Sequence, residues 1–237
     1  MQGVSGAGAV AKLGLRERKK RATRDALAGA AVRLAAEHGA ENVTVEAISE
    51  AAGVSPRTFF NYFDSHDDAF VMIDNESAVR VREAVLAAPA ELSALEAVRD
   101  VLAEELADIE EQQELWRLRA QVLHRSPRLL ARSMGAHMWD ERGLAAAVAE
   151  RLGAAPPVLA PDPPSIRSKD CSVSQLDQIM ALDRQLDLYS KMLAAMASTA
   201  VRVALQHWCA HTEREEFQDV FRKVFDQLAA GLRTPAV

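Results

Sequence analysis

Hydrophobic residues recur at intervals of three and four along most of this chain, and stretches in which apolar and polar residues simply alternate are absent. The first pattern is typical of amphipathic helices and the second of half-buried strands, so the chain is predicted to be all-α. Capping residues, glycines and prolines divide it into about nine helices. Their predicted ranges are 16–38, 44–52, 55–63, 65–86, 90–112, 115–124, 126–152, 175–210 and 213–232.

The segment from Thr44 to Phe63 carries the most specific pattern, because it predicts two short helices joined by a tight turn. Thr44 is an N-cap residue whose hydroxyl accepts a backbone N–H, and Gly53 allows the positive φ that a sharp corner needs. Ser55 and Pro56 begin the second helix as N-cap and first helical residue. The simpler alternative is a helical hairpin with a solvated face.

Polar side chains follow the outer face of this second helix. Phe59 and Phe63 lie four positions apart and are predicted to point inward. The side chains left outside can donate hydrogen bonds to phosphates and to base edges in the major groove of DNA. They are Arg57, Thr58, Asn61 and Tyr62. The pattern predicts a DNA-binding helix-turn-helix.

Residues 16–73, which include the segment GVSPRTFFNYF, closely resemble the N-terminal domain of the tetracycline-repressor (TetR) family of bacterial regulators. The resemblance implies a three-helix DNA-binding domain over residues 16–64 and a helical ligand-binding and dimerisation domain over residues 65–237. It also implies a homodimeric, ligand-responsive repressor that binds an inverted-repeat operator in double-stranded DNA. The implied DNA contacts are phosphate anchors at Thr44, Ser55 and Tyr62 and base contacts at Arg57, Thr58 and Asn61.

The net charge of −6 is distributed unevenly along the chain. Residues 1–64 carry nine Lys or Arg and seven Asp or Glu, a net charge of +2, whereas residues 65–237 carry a net charge of −8. Seven basic residues lie between Lys12 and Arg24, directly before the helix-turn-helix. A basic arm in this place favours phosphate binding. Its predicted DNA contacts are Lys20, Arg21 and Arg24.

One position departs from the family pattern. The family commonly has a lysine after the serine that opens the fourth helix, and this chain has His66 after Ser65. Free histidine is mostly uncharged near neutral pH, so His66 is predicted to bind DNA phosphate more weakly than a lysine would.

Two segments are predicted to lack regular structure. Residues 1–15 are rich in Gly and Ala and show little periodicity, so a disordered N-terminal tail is expected. Residues 154–174 contain five prolines between Pro156 and Pro164, which is incompatible with a helix. This segment is predicted to be a mobile surface loop inserted into the C-terminal domain.

The resemblance further implies an effector pocket among the helices that follow the first four. Large apolar side chains are its predicted lining: Trp116, Leu123, Met134, Met138, Met192 and Met196. Cations cluster in the same region: Arg117, Arg119, Arg125, Arg128 and Arg132. An apolar cavity with arginines at its mouth suits a small hydrophobic effector with an anionic head, such as an acyl thioester. Alternatively, the arginines pair with acidic faces of neighbouring helices.

The last two helices combine small residues on one helix with a phenylalanine–leucine stripe on the other. The resemblance implies that they form a four-helix interface with a second subunit. The predicted contacts are Ala200, Phe217, Phe221, Val224 and Leu228. Core packing within one chain is about equally consistent with the stripe.

Other kinds of site have little support in the sequence. Two cysteines, Cys171 and Cys209, provide no disulfide framework, which fits a reducing cytoplasm. His207 and His211 have i, i+4 spacing but no obvious third ligand, so no metal site and no cofactor are predicted. No catalytic spacing is present, so no enzyme is predicted. The longest uncharged run has 11 residues, shorter than the ~18 of a membrane span.

Two classes of protein are compatible with these patterns. The first is the DNA-binding transcriptional regulator. The second is a helical small-molecule-binding protein that lacks operator recognition and acts through protein partners. The outward polar set and the basic arm favour the regulator.

Overall fold

All regular secondary structure in the described part of the chain is helical, as the sequence predicts. The structure is a computed structural model and describes residues 15–72, 74–155, 183–211 and 215–231. The predicted tail (1–15) and Pro-rich loop (154–174) lie almost entirely outside these ranges and stay predictions.

The helices follow the predicted order. The α-helices are α1 (Leu15–His38), α2 (Val45–Ala51), α3 (Pro56–Phe59), α4 (His66–Val71), α5 (Asn75–Ala87), α6 (Ala94–Glu105), α7 (Gln113–Arg125), α8 (Pro127–Arg151), α9 (Leu188–Ala210) and α10 (Phe217–Ala229). Two 3₁₀ helices occupy Ala40–Asn42 and Ala107–Gln112.

Hydroxyl caps begin the two helices of the predicted motif. The Thr44 Oγ1 atom accepts the backbone N–H of Ala47 at 3.2 Å, and the Ser55 Oγ atom accepts that of Thr58 at 3.2 Å. Pro56 is the first residue of α3, as predicted. Each cap satisfies a donor at the helix start and stabilises by about 1 kcal/mol.

The long helix predicted for residues 65–86 is two helices in the structure. Helix α4 ends at Val71, and Met72 adopts a left-handed conformation with φ 54° and ψ 39°. Asp74 then caps α5 by accepting the backbone N–H of Glu76 at 3.2 Å. The hydrophobic period continues across the break, so periodicity alone could not reveal it.

The second motif helix is shorter than the predicted range 55–63. Regular α-helix ends at Phe59, and hydrogen-bonded turns carry the chain to Phe63. The Phe59 carbonyl accepts the N–H groups of Tyr62 at 2.9 Å and Phe63 at 3.1 Å.

Two hydrophobic clusters organise the described residues. The head cluster contains core residues of α1 to α4 together with Val122, Leu123 and Leu129 from α7 and α8. The body cluster is built by α5, α6, α8, α9 and α10. Helix α4 packs in the head cluster through the buried residues Ala69 and Phe70, so the two clusters separate near the break after α4.

The phenylalanine stripe of α10 lies in the body cluster of a single chain. Phe217 and Phe221 are fully buried, and their rings lie 5.9 Å apart. Ala200 is also buried, while Val224 and Leu228 are half-buried. Phe217 and Phe221 have no exposed surface in the single chain, so the core-packing alternative describes these two residues and corrects their predicted dimer contacts. The predicted dimer contacts at Ala200, Val224 and Leu228 stay predictions.

Candidate nucleic-acid interface

The turn between α2 and α3 has the conformation that the sequence predicts. Gly53 has φ +69°, and its N–H donates to the Glu50 carbonyl at 3.0 Å. A Cβ at this position would meet open space. The positive φ, rather than crowding, is therefore what favours glycine here.

Three buried side chains fix the orientation of α3. Ile48 of α2 and Phe59 are fully buried, and Phe63 is nearly so. The rings of Phe59 and Phe63 lie 5.4 Å apart. Because these residues occupy the inner face, as predicted, the opposite face of α3 points to solvent.

Arg57 extends from this outer face and Asn61 from the hydrogen-bonded turn that follows α3, and both side chains are exposed. Neither side chain forms a hydrogen bond or ion pair with any other residue that the structure describes. Arginine pairs with guanine and asparagine with adenine through two hydrogen bonds each in the major groove. Both side chains therefore remain available for a partner outside the chain.

The hydroxyl groups predicted to bind DNA are placed around the same helix. Thr44 and Ser55 are exposed, and the Ser55 hydroxyl shares a 2.9 Å hydrogen bond with that of Thr58. Tyr62 is half-buried against the head cluster. A phosphate oxygen accepts hydrogen bonds, so a hydroxyl that contacts it needs a free O–H. Thr44 acts only as an acceptor in its cap, and Ser55 keeps its O–H free when the Thr58 hydroxyl donates to it.

Phe60 also lies on this surface, and the sequence reasoning missed it. Its side chain is 56% exposed at the end of α3, between the buried Phe59 and the exposed Asn61. The prediction considered only polar residues as outward. The spacing of three from Arg57 is the signal that could have placed Phe60 on the same face.

Arg24, a predicted DNA contact, is instead held inside the protein. Its side chain is only 11% exposed, and its guanidinium lies 5.0 Å from the centre of the Phe63 ring. It also forms an ion pair with Asp74 at 3.7 Å. Burial lowers the pKa of Arg24, and Asp74 opposes this shift. The structure thus corrects the prediction, because a buried and partnered cation cannot reach a phosphate.

The rest of the basic arm is divided between internal and external positions. Lys20 is half-buried and forms an ion pair with Glu76 at the start of α5, and its predicted DNA contact stays a prediction. Arg21 is half-buried, and Arg18 and Lys19 are exposed. The outward part of the arm in the described residues is therefore its N-terminal part.

His66 is engaged on both ring nitrogens. Its Nε2 atom lies 3.0 Å from the Val43 carbonyl oxygen and its Nδ1 atom lies 2.9 Å from an Asp67 carboxylate oxygen. The ring also packs edge-on against Phe70, with centroids 4.5 Å apart. This corrects the predicted phosphate contact: His66 links α4 to the chain before α2.

Arginines of α7 and α8 hold α4 and α1 against the body of the protein. We call this set the arginine seam; it comprises Arg119, Arg125, Arg128 and Arg132. Two members bind α4 carboxylates: Arg132 lies 2.5 Å from Asp68, and Arg128 lies 2.6 Å from Asp67. The Arg132–Asp68 pair is largely buried, with side chains 14% and 10% exposed, whereas Arg128 is 72% exposed.

The other two members of the seam bind backbone carbonyls of the head. Arg119 donates to the last carbonyl of α4, that of Val71, at 3.0 Å and to the Ser133 hydroxyl at 3.2 Å. Arg125 donates to the Ala36 carbonyl of α1 at 3.4 Å. Cations at helix C-termini satisfy unpaired carbonyls and complement the helix dipole.

The surroundings of the seam shift the pKa values of two residues, Arg119 and Asp67. Burial lowers the pKa of Arg119 to about 10, so it is still charged at neutral pH. The hydrogen bond with His66 lowers the pKa of Asp67, and nearby Arg128 acts in the same direction. Arg119 and Asp67 are therefore both ionised near neutrality.

The alternative offered for the arginines, pairing with acidic faces of neighbouring helices, describes two of the five, Arg128 and Arg132. Arg117 pairs with Glu114 of its own helix at 2.7 Å, and the seam members have partners in the head. The predicted cluster of arginines at a pocket mouth is thus a cluster of intramolecular contacts.

In the part of the chain that the structure describes, the six predicted pocket residues are distributed over both clusters and the surface, and the effector pocket stays a prediction. Leu123 belongs to the head cluster, and Trp116 is half-buried with the Arg119 guanidinium 5.0 Å from its ring. Met196 is half-buried. Three methionines are about half exposed to solvent: Met134, Met138 and Met192. Met192 borders a surface cleft of about 320 Å³.

No group of three or more metal-binding side chains is present in the described part of the chain. His207 and His211 stack with ring centroids 4.3 Å apart, and the His211 Nδ1 atom contacts the His207 carbonyl at 2.9 Å. Cys209, between them in sequence, is half-buried. Among the described helices, none is long and apolar enough to cross a membrane.

The sequence matches two family profiles that together cover both clusters. Residues 27–71 match the profile of bacterial regulatory proteins of the tetR family. Residues 92–163 and 180–233, more than half of the chain, match the MftR C-terminal domain. The chain belongs to the TetR family. The predicted resemblance is therefore confirmed, and the protein is a transcriptional regulator with a helix-turn-helix DNA-binding domain rather than an enzyme.

Individual relatives of this TetR-family member are more distant. The HTH-type transcriptional regulator TcmR of Streptomyces glaucescens is 51% identical over 55 residues, a stretch that covers 23% of this chain and 24% of TcmR. The match thus spans about a quarter of the curated relative.

Similar solved structures cover most of the chain at low identity. The fatty acid degradation regulator FadR of Bacillus halodurans is 18% identical with a TM-score of 0.45, over 90% of this chain and 97% of that one. SmeT, the repressor of the Stenotrophomonas maltophilia multidrug efflux pump SmeDEF, is 16% identical with a TM-score of 0.46, over 90% and 94%.

Proposed function

We propose that this TetR-family regulator is a homodimeric repressor that binds an inverted-repeat operator through α3 and releases it when a small effector binds. The observation that supports the DNA-reading role most directly is the pair Arg57 and Asn61. Their polar groups face solvent without a partner among the described residues. In water this has little cost, whereas pairing each with a base edge discriminates between bases by about 1–3 kcal/mol.

Phosphate contacts would surround Arg57 and Asn61, the two residues proposed to contact bases. Thr44 and Ser55 present exposed hydroxyls at the starts of α2 and α3, and Tyr62 lies beyond α3. Arg18 and Lys19 add exposed cations on α1. Such contacts position a protein on the duplex and raise affinity for all sequences alike.

Binding of selected duplexes tests the proposal. An operator would first be obtained by selection from random DNA with the wild-type protein. Arg57→Ala and Asn61→Ala are each expected to weaken operator binding by about 1–3 kcal/mol and to relax the base preference at one position per half-site. Electrophoretic mobility shift and repeated selection measure both effects.

Arg117→Ala is the matched control, because this exposed arginine pairs within α7 and lies outside the helix-turn-helix. It should leave affinity and preference unchanged. Unaltered affinity and preference in both the Arg57 and Asn61 variants would refute the assignment of α3 as the reading helix.

A second subunit is expected because one short helix offers too few base contacts for tight selective binding. We infer that the interface uses the outer face of α9, where Met192, Thr199 and Val203 are exposed and Met196 is half-buried. A two-fold axis would then place two α3 helices in half-sites about 34–36 Å apart.

Two substitutions separate this interface from the buried stripe. Val203→Glu places a charge on the exposed face and is expected to give folded monomers in sedimentation experiments. Phe221→Ala creates a cavity in the body cluster and should lower the free energy of unfolding by about 3–5 kcal/mol instead. A Val203→Glu protein that stays dimeric would place the interface elsewhere.

The arginine seam supplies a route from an effector to the head. An effector can release DNA only if it binds the released state more tightly than the DNA-bound state. A hydrophobic molecule that bound near Trp116 and moved α7 or α8 would displace α4, because Arg119 and Arg132 connect these helices directly to α4.

A long-chain acyl thioester remains the effector class to test first. Titration into the operator complex should release DNA and change the fluorescence of Trp116. No release together with no fluorescence change would exclude this class while leaving the DNA-binding proposal intact.

A further inference from the structure

Phe60 is an apolar side chain on a surface whose other outward members are polar. Its ring is 56% exposed, while the rings on either side of it along the inner face, Phe59 and Phe63, are buried. Single exposed apolar residues are common on protein surfaces. What distinguishes Phe60 is its place: it follows Arg57 by three residues and directly precedes Asn61.

The ring is also supported from below. It meets the buried Phe59 ring edge-on, with centroids 5.4 Å apart and planes at 82°. Edge-to-face contact is a favoured aromatic geometry, so the ring has a supported resting position rather than only solvent around it. The surface that carries Arg57 and Asn61 therefore also carries an apolar ring whose position is set by its contact with Phe59.

A phenyl ring has no hydrogen-bonding group, so it cannot anchor a phosphate or bind a polar base edge. The apolar feature that the major groove presents is the C5 methyl group of thymine. We propose that Phe60 is a specificity-determining residue that contacts a thymine methyl group, and so selects one A·T pair in each half-site. This inference rests on the proposed insertion of α3 into the major groove.

Replacement of thymine by deoxyuridine tests the contact, because it removes only the methyl group. In the selected operator, each thymine would be replaced in turn and binding measured by fluorescence anisotropy. One position per half-site should lose affinity by about fourfold, the factor expected for one buried methyl group. The other thymines should tolerate the change.

Protein variants assign the effect to Phe60. Phe60→Ala should bind the thymine operator more weakly and should no longer distinguish thymine from deoxyuridine at the sensitive position. Phe60→Leu, which keeps an apolar side chain, should retain part of the discrimination. Because Phe60 is exposed and loses only its edge contact with Phe59, both variants should remain folded with at most a small decrease in unfolding temperature. Retained folding separates a reading role from loss of structure.

The outcomes distinguish this inference from the proposed function. If selection yields no operator, or if Arg57→Ala and Asn61→Ala bind it unchanged, the reading role of α3 fails. If those variants weaken binding but no thymine methyl matters, or if the methyl effect persists in Phe60→Ala, only the role of Phe60 is overturned.

Discussion

The outer face of α3 and the arginine seam both carry polar and basic side chains. Those on α3 face solvent, whereas those in the seam bind other parts of the chain. On α3 and the turn that follows it, Arg57 and Asn61 extend into solvent with no partner among the described residues. In the seam, Arg132 and Arg128 bind the carboxylates of α4, and Arg119 binds its last carbonyl. The sequence predicted DNA as the partner of Arg57 and Asn61, whereas for the seam arginines it left open an effector head group or acidic faces of neighbouring helices.

The two regions differ in the hydrogen-bond acceptors that the fold places next to their basic side chains. The seam faces α4, whose capping carboxylates and C-terminal carbonyl supply acceptors within reach. The outer face of α3 has no neighbouring element in the described part of the chain to supply acceptors. A polar group that folding leaves unpaired and exposed is available for recognition, whereas one that folding pairs contributes to architecture.

The largest expected effect concerns the buried pair of the seam. Arg132→Met would leave the Asp68 carboxylate without its cation, although Ser65 still donates to it. The free energy of unfolding should fall by about 3 kcal/mol, because an unpaired buried charge is costly. Urea titration at one fixed protein concentration measures this, since the stability of a dimer depends on concentration.

Arg128→Met is the matched control on the same helix, and it should change stability by less than about 1 kcal/mol because Arg128 is largely exposed. Arg57→Ala should not change stability measurably. If Arg132→Met proves as harmless as Arg57→Ala, the contrast between the two regions does not hold.

An intermediate loss of stability is expected from substitution of Arg24. The sequence predicted this residue as a DNA contact, and the structure places it inside the protein. Arg24→Met should lower the free energy of unfolding by about 1–2 kcal/mol, because it removes the cation from the Phe63 ring and from the ion pair with Asp74. The salt dependence of DNA binding should stay the same, because Arg24 does not reach phosphate.

The double variant Arg18→Ala/Lys19→Ala is expected to affect DNA binding and not stability, the reverse of Arg24→Met. Stability should be unchanged, while the slope of log affinity against log salt should become shallower by about one for each DNA phosphate that the variant no longer neutralises. A salt slope that changes with Arg24 but not with Arg18 and Lys19 would reverse the assignment of the arm.

The smallest expected effect is a pH dependence of the free energy of unfolding. It arises from Asp67, the partner of the exposed Arg128. His66 and Arg128 hold the pKa of Asp67 below its usual value. The resulting stabilisation is present above the unfolded-state pKa of about 3.9 and is lost as the pH falls through the lower folded-state pKa. Asp67→Asn should remove this contribution, which we expect to be below about 1 kcal/mol.

The free energies of unfolding of the wild type and of Asp67→Asn should therefore converge below the folded-state pKa, separate as the pH rises to about 4, and keep a constant separation above it. Free energies that differ only in strong acid and coincide above about pH 4 would contradict the assigned cause.

Local signals predicted the motif well. Thr44, Gly53 and Ser55 have the capping and turn geometry expected of them, because caps and turns depend on residues within three or four positions. The inward placement of Phe59 and Phe63 followed from helical spacing for the same reason. Phe60 was missed because outward positions were searched only for polar side chains.

The sequence by itself determined the all-helical class, the helix-turn-helix and the outward position of Arg57 and Asn61. Only the tertiary structure decided that Arg24, His66 and the seam arginines would be engaged inside the protein. Their partners are distant in sequence: Asp68 lies 64 positions before Arg132, and Asp67 lies 61 before Arg128. Helical periodicity tells which face of an element is apolar, but not which element will cover its polar residues, because that depends on how separate helices pack.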